Sequence, residues 1–159
     1  MTEQRLLQLL RENNLKITTA ESCTGGLVAG LLCDISGISA HFEEGYITYS
    51  ENSKIKNLNV SQDTLDNYGV VSVETAQEMA KGVLIKANAN CSVATTGVAG
   101  PTGGTEETPV GCVCFAWCVG DKTYSERVIF EGTRMEVRMQ AASYALEKLC
   151  EYIEKNIKE

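Results

Sequence analysis

The sequence predicts an α/β fold, a three-layer α/β/α sandwich built on a mixed β-sheet. Helix-patterned and strand-patterned segments alternate along the chain, which puts helices on both faces of one sheet. Two runs, the β-branched Lys16–Ala20 and the apolar Cys91–Thr96, have the short length of strands. Gly120-Asp121 separates two further strand-like runs, and a hairpin there makes the sheet mixed. With 159 residues, 43% of them hydrophobic, the chain reads as one domain over 1–159 that builds its core without metal or disulfide.

The elements follow in order. Residues 3–13 form a helix whose apolar side is Leu6, Leu7, Leu9 and Leu10. The strand Lys16–Ala20 ends in Glu21–Gly26, and Gly26–Cys33 is helical, so Ser22 falls at a strand-to-helix junction. His41–Tyr49, rich in aromatic and β-branched residues, reads as a second strand. Lys54–Leu58 is a short helix, and Ser61 caps another that runs to about Asn67. Ser72 caps the next helix, in which Ala76, Met79, Ala80, Val83, Leu84 and Ala87 recur at helical spacing. After the strand Cys91–Thr96 comes a Gly/Thr/Pro-rich loop over 97–109, then strands Val110–Val119 and Thr123–Phe130. Thr133 and Glu136 form a capping box that opens a long last helix through Val137, Ala141, Ala145, Leu149 and Ile153.

Composition removes several function classes. There are 14 Lys and Arg against 21 Asp and Glu, a net charge of −7, which disfavours a general grip on nucleic acid. No stretch approaches the roughly 18 apolar residues of a membrane helix, and the N-terminus lacks a charged-then-apolar signal. A cytoplasmic protein with no nucleic-acid or membrane partner is the expectation. Of the seven cysteines, Cys112, Cys114 and Cys118 share one face of a strand. No zinc-like spacing is present, so no metal is expected and the thiols read as buried, reduced small hydrophobes.

Four segments are candidates for chemistry. In Thr18–Gly26, Ser22 at the junction is either a helix cap or a nucleophile beside an oxyanion site, and Gly25 and Gly26 permit close backbone approach. A serine nucleophile needs a base, and the chain offers one histidine, His41, or a lysine whose pKa is lowered by burial. In Tyr46–Lys54, a strand carrying Tyr46 and Tyr49 ends just before Lys54, bringing a phenol and an amine to one sheet edge. The loop Thr95–Thr105 is rich in glycines and hydroxyls, as either a tight turn or a backbone-amide cradle for an anion or carbonyl. Arg134 and Arg138, four apart on one helix face, suit a phosphate or carboxylate, or simply solvent and salt bridges.

Together and in this order, from about Leu6 to Ile153, these segments resemble the C-terminal domain of the CinA family. The most specific stretches are Thr19–Gly26, Tyr49 with Lys54, and Thr95–Gly104, supported by Pro109–Gly111. The resemblance implies a hydrolase of the serine–lysine type that acts as a nicotinamide mononucleotide deamidase in its stand-alone form, with no cofactor. It implies Ser22 as nucleophile, Lys54 as base and Tyr49 as its assistant, with Thr96 and Arg138 at the active site. Thr24, Gly25, Gly26, Gly97, Gly100, Gly103, Gly104 and Arg134 complete the expected nucleotide-binding set. It also implies an α/β/α sandwich that pairs into homodimers. The N-terminal nucleotide-processing domain of longer family members is not expected here, nor its metal chemistry. Glu51, an added carboxylate next to Asn52, is expected to favour the charged form of Lys54. Two other readings stand beside this one: a non-catalytic nucleotide-binding module, and an amidohydrolase for another small amide.

Overall fold

A computed structural model describes residues 1–159 and shows five strands and six α-helices in the order α1 Thr2–Glu12, β1 Ile17–Glu21, α2 Leu27–Cys33, β2 Tyr46–Ile47, α3 Glu51–Leu58, α4 Gln62–Tyr68, α5 Val73–Lys86, β3 Cys91–Gly97, β4 Cys112–Val119, β5 Lys122–Ile129 and α6 Arg134–Lys158. The sheet order is β2-β1-β3-β4-β5. β1 runs parallel to β2 and β3, and β4 and β5 are antiparallel to their neighbours, so the sheet is mixed as expected. Helices α1, α2 and α6 cover one face; α3, α4 and α5 cover the other.

The alternation along β4 decides how each face packs. Val113, Phe115, Trp117 and Val119 point to the α6 side, where Phe115 and Trp117 stack and Trp117 Nε1 donates to the Ala145 carbonyl at 2.8 Å. Cys112, Cys114, Ala116 and Cys118 point to the α5 side and meet Ala76, Met79, Ala80 and Val83. Small side chains on that face let α5 lie close to the sheet, and the cysteines pack there as small hydrophobes. Cys33, at the end of α2 beside inward-facing Leu32, is the exception to the expected burial: it is exposed.

Local chemistry places the helix starts. Ser61, Ser72 and Thr133 accept from the N–H of Thr64, Thr75 and Glu136, and the capping box at Thr133 is complete. Gly120 takes a φ of +61° in the two-residue connection that pairs Val119 with Lys122. No helix is long and apolar enough to cross a membrane.

Two expectations need correction. The strand expected over His41–Tyr49 shrinks to Tyr46–Ile47. Phe42 bridges Ile17 while Tyr46 pairs with Ala20, so one extra residue sits on the outer strand and pairing breaks there, as in a bulge. The Thr18 hydroxyl donates to the Glu44 carbonyl at 2.9 Å within that break. The helix expected at Lys54–Leu58 starts a turn earlier, at Glu51, because Ser50 caps it by accepting from Ser53 N–H at 3.0 Å. That extra turn puts Lys54 inside the helix, on its buried side.

Candidate active site

Ser22 follows β1 at the carboxyl ends of the parallel strands, where ligands of open α/β sheets commonly sit. It does not cap α2. The chain first makes a turn, Gly25 N–H to Ser22 O at 3.1 Å, and Gly26 with φ +105° occupies the cap position. Ser22 N–H donates to the Thr95 carbonyl at 3.0 Å, which ties the turn to β3.

Lys54 comes to Ser22 from the other helical layer. Its side chain is 0% exposed, and Nζ donates to Ser22 Oγ at 2.8 Å, to Thr48 O at 2.7 Å and to Tyr49 O at 3.3 Å. No carboxylate lies within ion-pair distance of it. Burial lowers the amine from 10.5 to about 8, and Cys23 and Glu51 pull weakly the other way. Exposed Glu51 thus favours the charged form of the lysine, as expected, but burial outweighs it. The neutral amine can accept the Ser22 proton along the same 2.8 Å line. Cys23 is no rival nucleophile, since burial pushes its thiol up to about 12. His41 is elsewhere, its Nδ1 bonded to the Leu15 carbonyl.

Tyr49 reaches the lysine with its main chain, not its phenol. The carbonyl meets Lys54 Nζ, while the hydroxyl accepts from Arg134 Nη2 at 3.1 Å and the ring is 61% exposed. Ring assistance to the lysine is thus not the geometry found. Beside Ser22 opens a cleft of about 310 Å³, at the lower end of the range for small-molecule sites. Thr96, Gly97, Gly100, Gly103, Tyr49 and Arg134 all line it, and Val70, Val71 and Val98 give it an apolar wall. Thr96 donates its hydroxyl to the Val70 carbonyl at 2.8 Å, and Arg134 donates to the Gly100 carbonyl at 2.8 Å.

Five expected binding residues do not line that cleft. Thr24 is fully buried between Glu21 and Thr95. Gly25 and Gly26, both at positive φ, shape the turn. Gly104 packs against Val110, whose main-chain N would lie 2.7 Å from an added Cβ. Arg138 braces the turn from outside, donating to Cys23 O at 2.9 Å and Thr24 O at 3.2 Å.

The helix N-terminus, expected to serve an oxyanion, is already taken. Glu21 accepts from Val28 N–H at 2.8 Å and Ala29 N–H at 3.0 Å. Cys23 N–H, next to the serine, is donated to no protein group. Glu21 escaped the sequence reading because a strand-end carboxylate carries no local signal; its position just before Ser22 was the available hint. No three His, Cys, Asp or Glu side chains converge to hold a metal ion.

The sequence model of the CinA C-terminal domain matches residues 1–153. A CinA-like protein of Kosmotoga olearia is 46% identical over 145 residues, covering 91% of this chain and 35% of its own length. Another, of Colwellia psychrerythraea, is 45% identical over 149 residues, covering 94% and 34%. The chain thus spans about a third of the length of these curated relatives. The crystal structure of a CinA superfamily protein from Klebsiella pneumoniae superposes with a TM-score of 0.93 at 36% identity, covering 97% of this chain and 96% of that one. The competence/damage inducible protein CihA of Agrobacterium tumefaciens gives 0.87 at 38%, with 93% of each chain covered. Sequence and fold agree over nearly the whole length, and the chain belongs to the CinA C-terminal domain family.

Proposed function

We propose that the chain is an amidohydrolase that converts nicotinamide mononucleotide into nicotinate mononucleotide and ammonia by a covalent serine–lysine route. The observation that carries this reading is the 2.8 Å contact between Ser22 Oγ and the buried, carboxylate-free amine of Lys54. The substrate follows from the resemblance carried by Thr19–Gly26, Tyr49 with Lys54, and Thr95–Gly104. It is supported by a cleft that offers an apolar wall to a pyridine ring and Arg134 to a phosphate.

In the acylation step, neutral Lys54 takes the Ser22 proton as Oγ bonds to the carboxamide carbon. The carbonyl π-electrons move to oxygen, and Cys23 N–H is the nearest main-chain donor in sequence for the oxyanion. As the carbonyl re-forms, the C–N bond breaks and the Lys54 ammonium returns its proton to the departing nitrogen, which leaves as ammonia. The same amine then takes a proton from water, whose oxygen attacks the Ser22 ester. Expulsion of Ser22 Oγ, reprotonated by Lys54, releases the carboxylate product.

Ammonia release decides the matter. Wild type is expected to turn over nicotinamide mononucleotide in preference to free nicotinamide or asparagine. Ser22→Ala and Lys54→Ala should each lose at least about 10³-fold in kcat. Nucleotide binding without ammonia release in wild type overturns the reading in favour of a binding module, and preference for another amide overturns the substrate.

A further inference from the structure

The mechanism above leaves one buried carboxylate without a task. Glu21 is 1% exposed and has no Lys, Arg or His within ion-pair distance. An unpaired buried carboxylate costs several kcal/mol unless fixed donors satisfy it. Here they do: the Thr24 hydroxyl at 2.6 Å, Val28 N–H at 2.8 Å and Ala29 N–H at 3.0 Å. A hydroxyl cap at the helix start would stabilise α2 without burying a charge, and α3 to α6 use that solution at Ser50, Ser61, Ser72 and Thr133. Glu21 satisfies the first turn of α2 and in addition holds the Thr24 hydroxyl, a contact that helix capping alone does not require.

The contacts indicate what. Since Thr24 donates its one hydroxyl proton to Glu21, the 2.8 Å contact with Thr95 has Thr95 as donor. Thr95 also accepts from Ser22 N–H through its carbonyl at 3.0 Å. Arg138 holds Cys23 O and Thr24 O from the opposite side. The segment Ser22–Thr24 is thus pinned from inside by Glu21 and Thr95 and from outside by Arg138. Lys54 belongs to a different layer, and this pinning adds to the Thr48 N–H bond to the Glu21 carbonyl at 2.8 Å in keeping the serine in register with it.

We propose that Glu21 is the positioning residue of the site: its carboxylate, tied to Thr24 and the first turn of α2, fixes the Ser22 turn so that Oγ stays on Lys54 Nζ. This rests on the serine–lysine reading above. Misplacing a nucleophile by about 1 Å can cost about 10²-fold in rate. Glu21→Gln keeps the volume but turns an N–H donor toward a main-chain N–H.

The test is steady-state ammonia release by the whole chain, with the folded fraction read from the fluorescence of buried Trp117, alongside crystal structures of the variants. Glu21→Gln is expected to lower kcat per folded molecule by about 10- to 100-fold. KM should stay within about 2-fold and the midpoint of the pH–kcat profile should not move, because the residue touches neither substrate nor Lys54. The crystal structure should show Ser22 Oγ beyond hydrogen-bond reach of Lys54 Nζ. Thr24→Val, which cuts the tie between Glu21 and Thr95, should repeat the kcat loss in milder form and serves where Glu21→Gln fails to fold. Wild-type kcat in folded variants, or a shifted pH midpoint, overturns the proposal. A wild type that releases no ammonia sinks the amidase reading instead; Glu21 is then judged on the Ser22–Lys54 separation alone, lengthening supporting it and retention at 2.8 Å refuting it.

Discussion

Raising the pH from 6 to 9 should uncover Lys54 as the base. With its amine brought from 10.5 to about 8 by burial, about 9% of the lysine is neutral at pH 7, about half at pH 8 and about 90% at pH 9. A solvated lysine near 10.4 would be neutral in about 0.04% of molecules at pH 7, so burial enlarges the reactive fraction about 200-fold. If the neutral amine limits the rate, kcat/KM for ammonia release rises about 9-fold from pH 6 to 7, about 5-fold from 7 to 8 and less than about 2-fold from 8 to 9. Glu51→Gln should move the midpoint slightly downward, because Glu51 raises the amine. The assay is coupled ammonia detection across overlapping buffers at constant ionic strength, with Lys54→Ala as the blank. A flat profile down to pH 5, or a midpoint above 10, would refute the assignment of Lys54.

The same burial predicts a stability signature. Between about 8 and 10.5 the unfolded chain binds more protons than the folded one, so stability rises with pH across that window and the gain is absent below it. Relative to Lys54→Met, wild type should gain about 2 kcal/mol between pH 7.5 and 9.5 in urea titrations; a constant difference contradicts the lowered amine. Tyr49→Phe removes only the bond to Arg134 and should keep kcat within about 3-fold, measured by ammonia release; loss of turnover would mean the phenol relays the proton. Gly82→Ala puts a methyl group on α5 against the main chain of Leu58, whose C and Cα would lie 2.7 and 3.1 Å away. Despite better helix propensity it should destabilise by about 1–3 kcal/mol, read as a lowered Tm; a raised Tm would show that α3 and α5 part at no cost.

Features that depend on neighbours along the chain are legible in the sequence. The repeat of Ala76, Met79, Ala80 and Val83 identifies α5, and Ser72 and the Thr133–Glu136 pair mark helix starts by the backbone N–H groups they satisfy. Gly120-Asp121 marks the hairpin, and the shared parity of Cys112, Cys114 and Cys118 forecasts their common face. Ser22 and Lys54 were legible as a pair only through the resemblance, since 32 residues separate them and their 2.8 Å contact is made by packing two layers against one sheet. Tertiary structure alone decided the rest. It cut the expected second strand to Tyr46–Ile47, turned the Tyr49 ring to Arg134 and sent Arg138, 115 residues along the chain, to the turn at Cys23. It also buried Glu21 at the start of α2. Periodicity and caps record forces that act within a few residues, whereas a buried charge takes its meaning from whichever distant donors the closed fold brings around it.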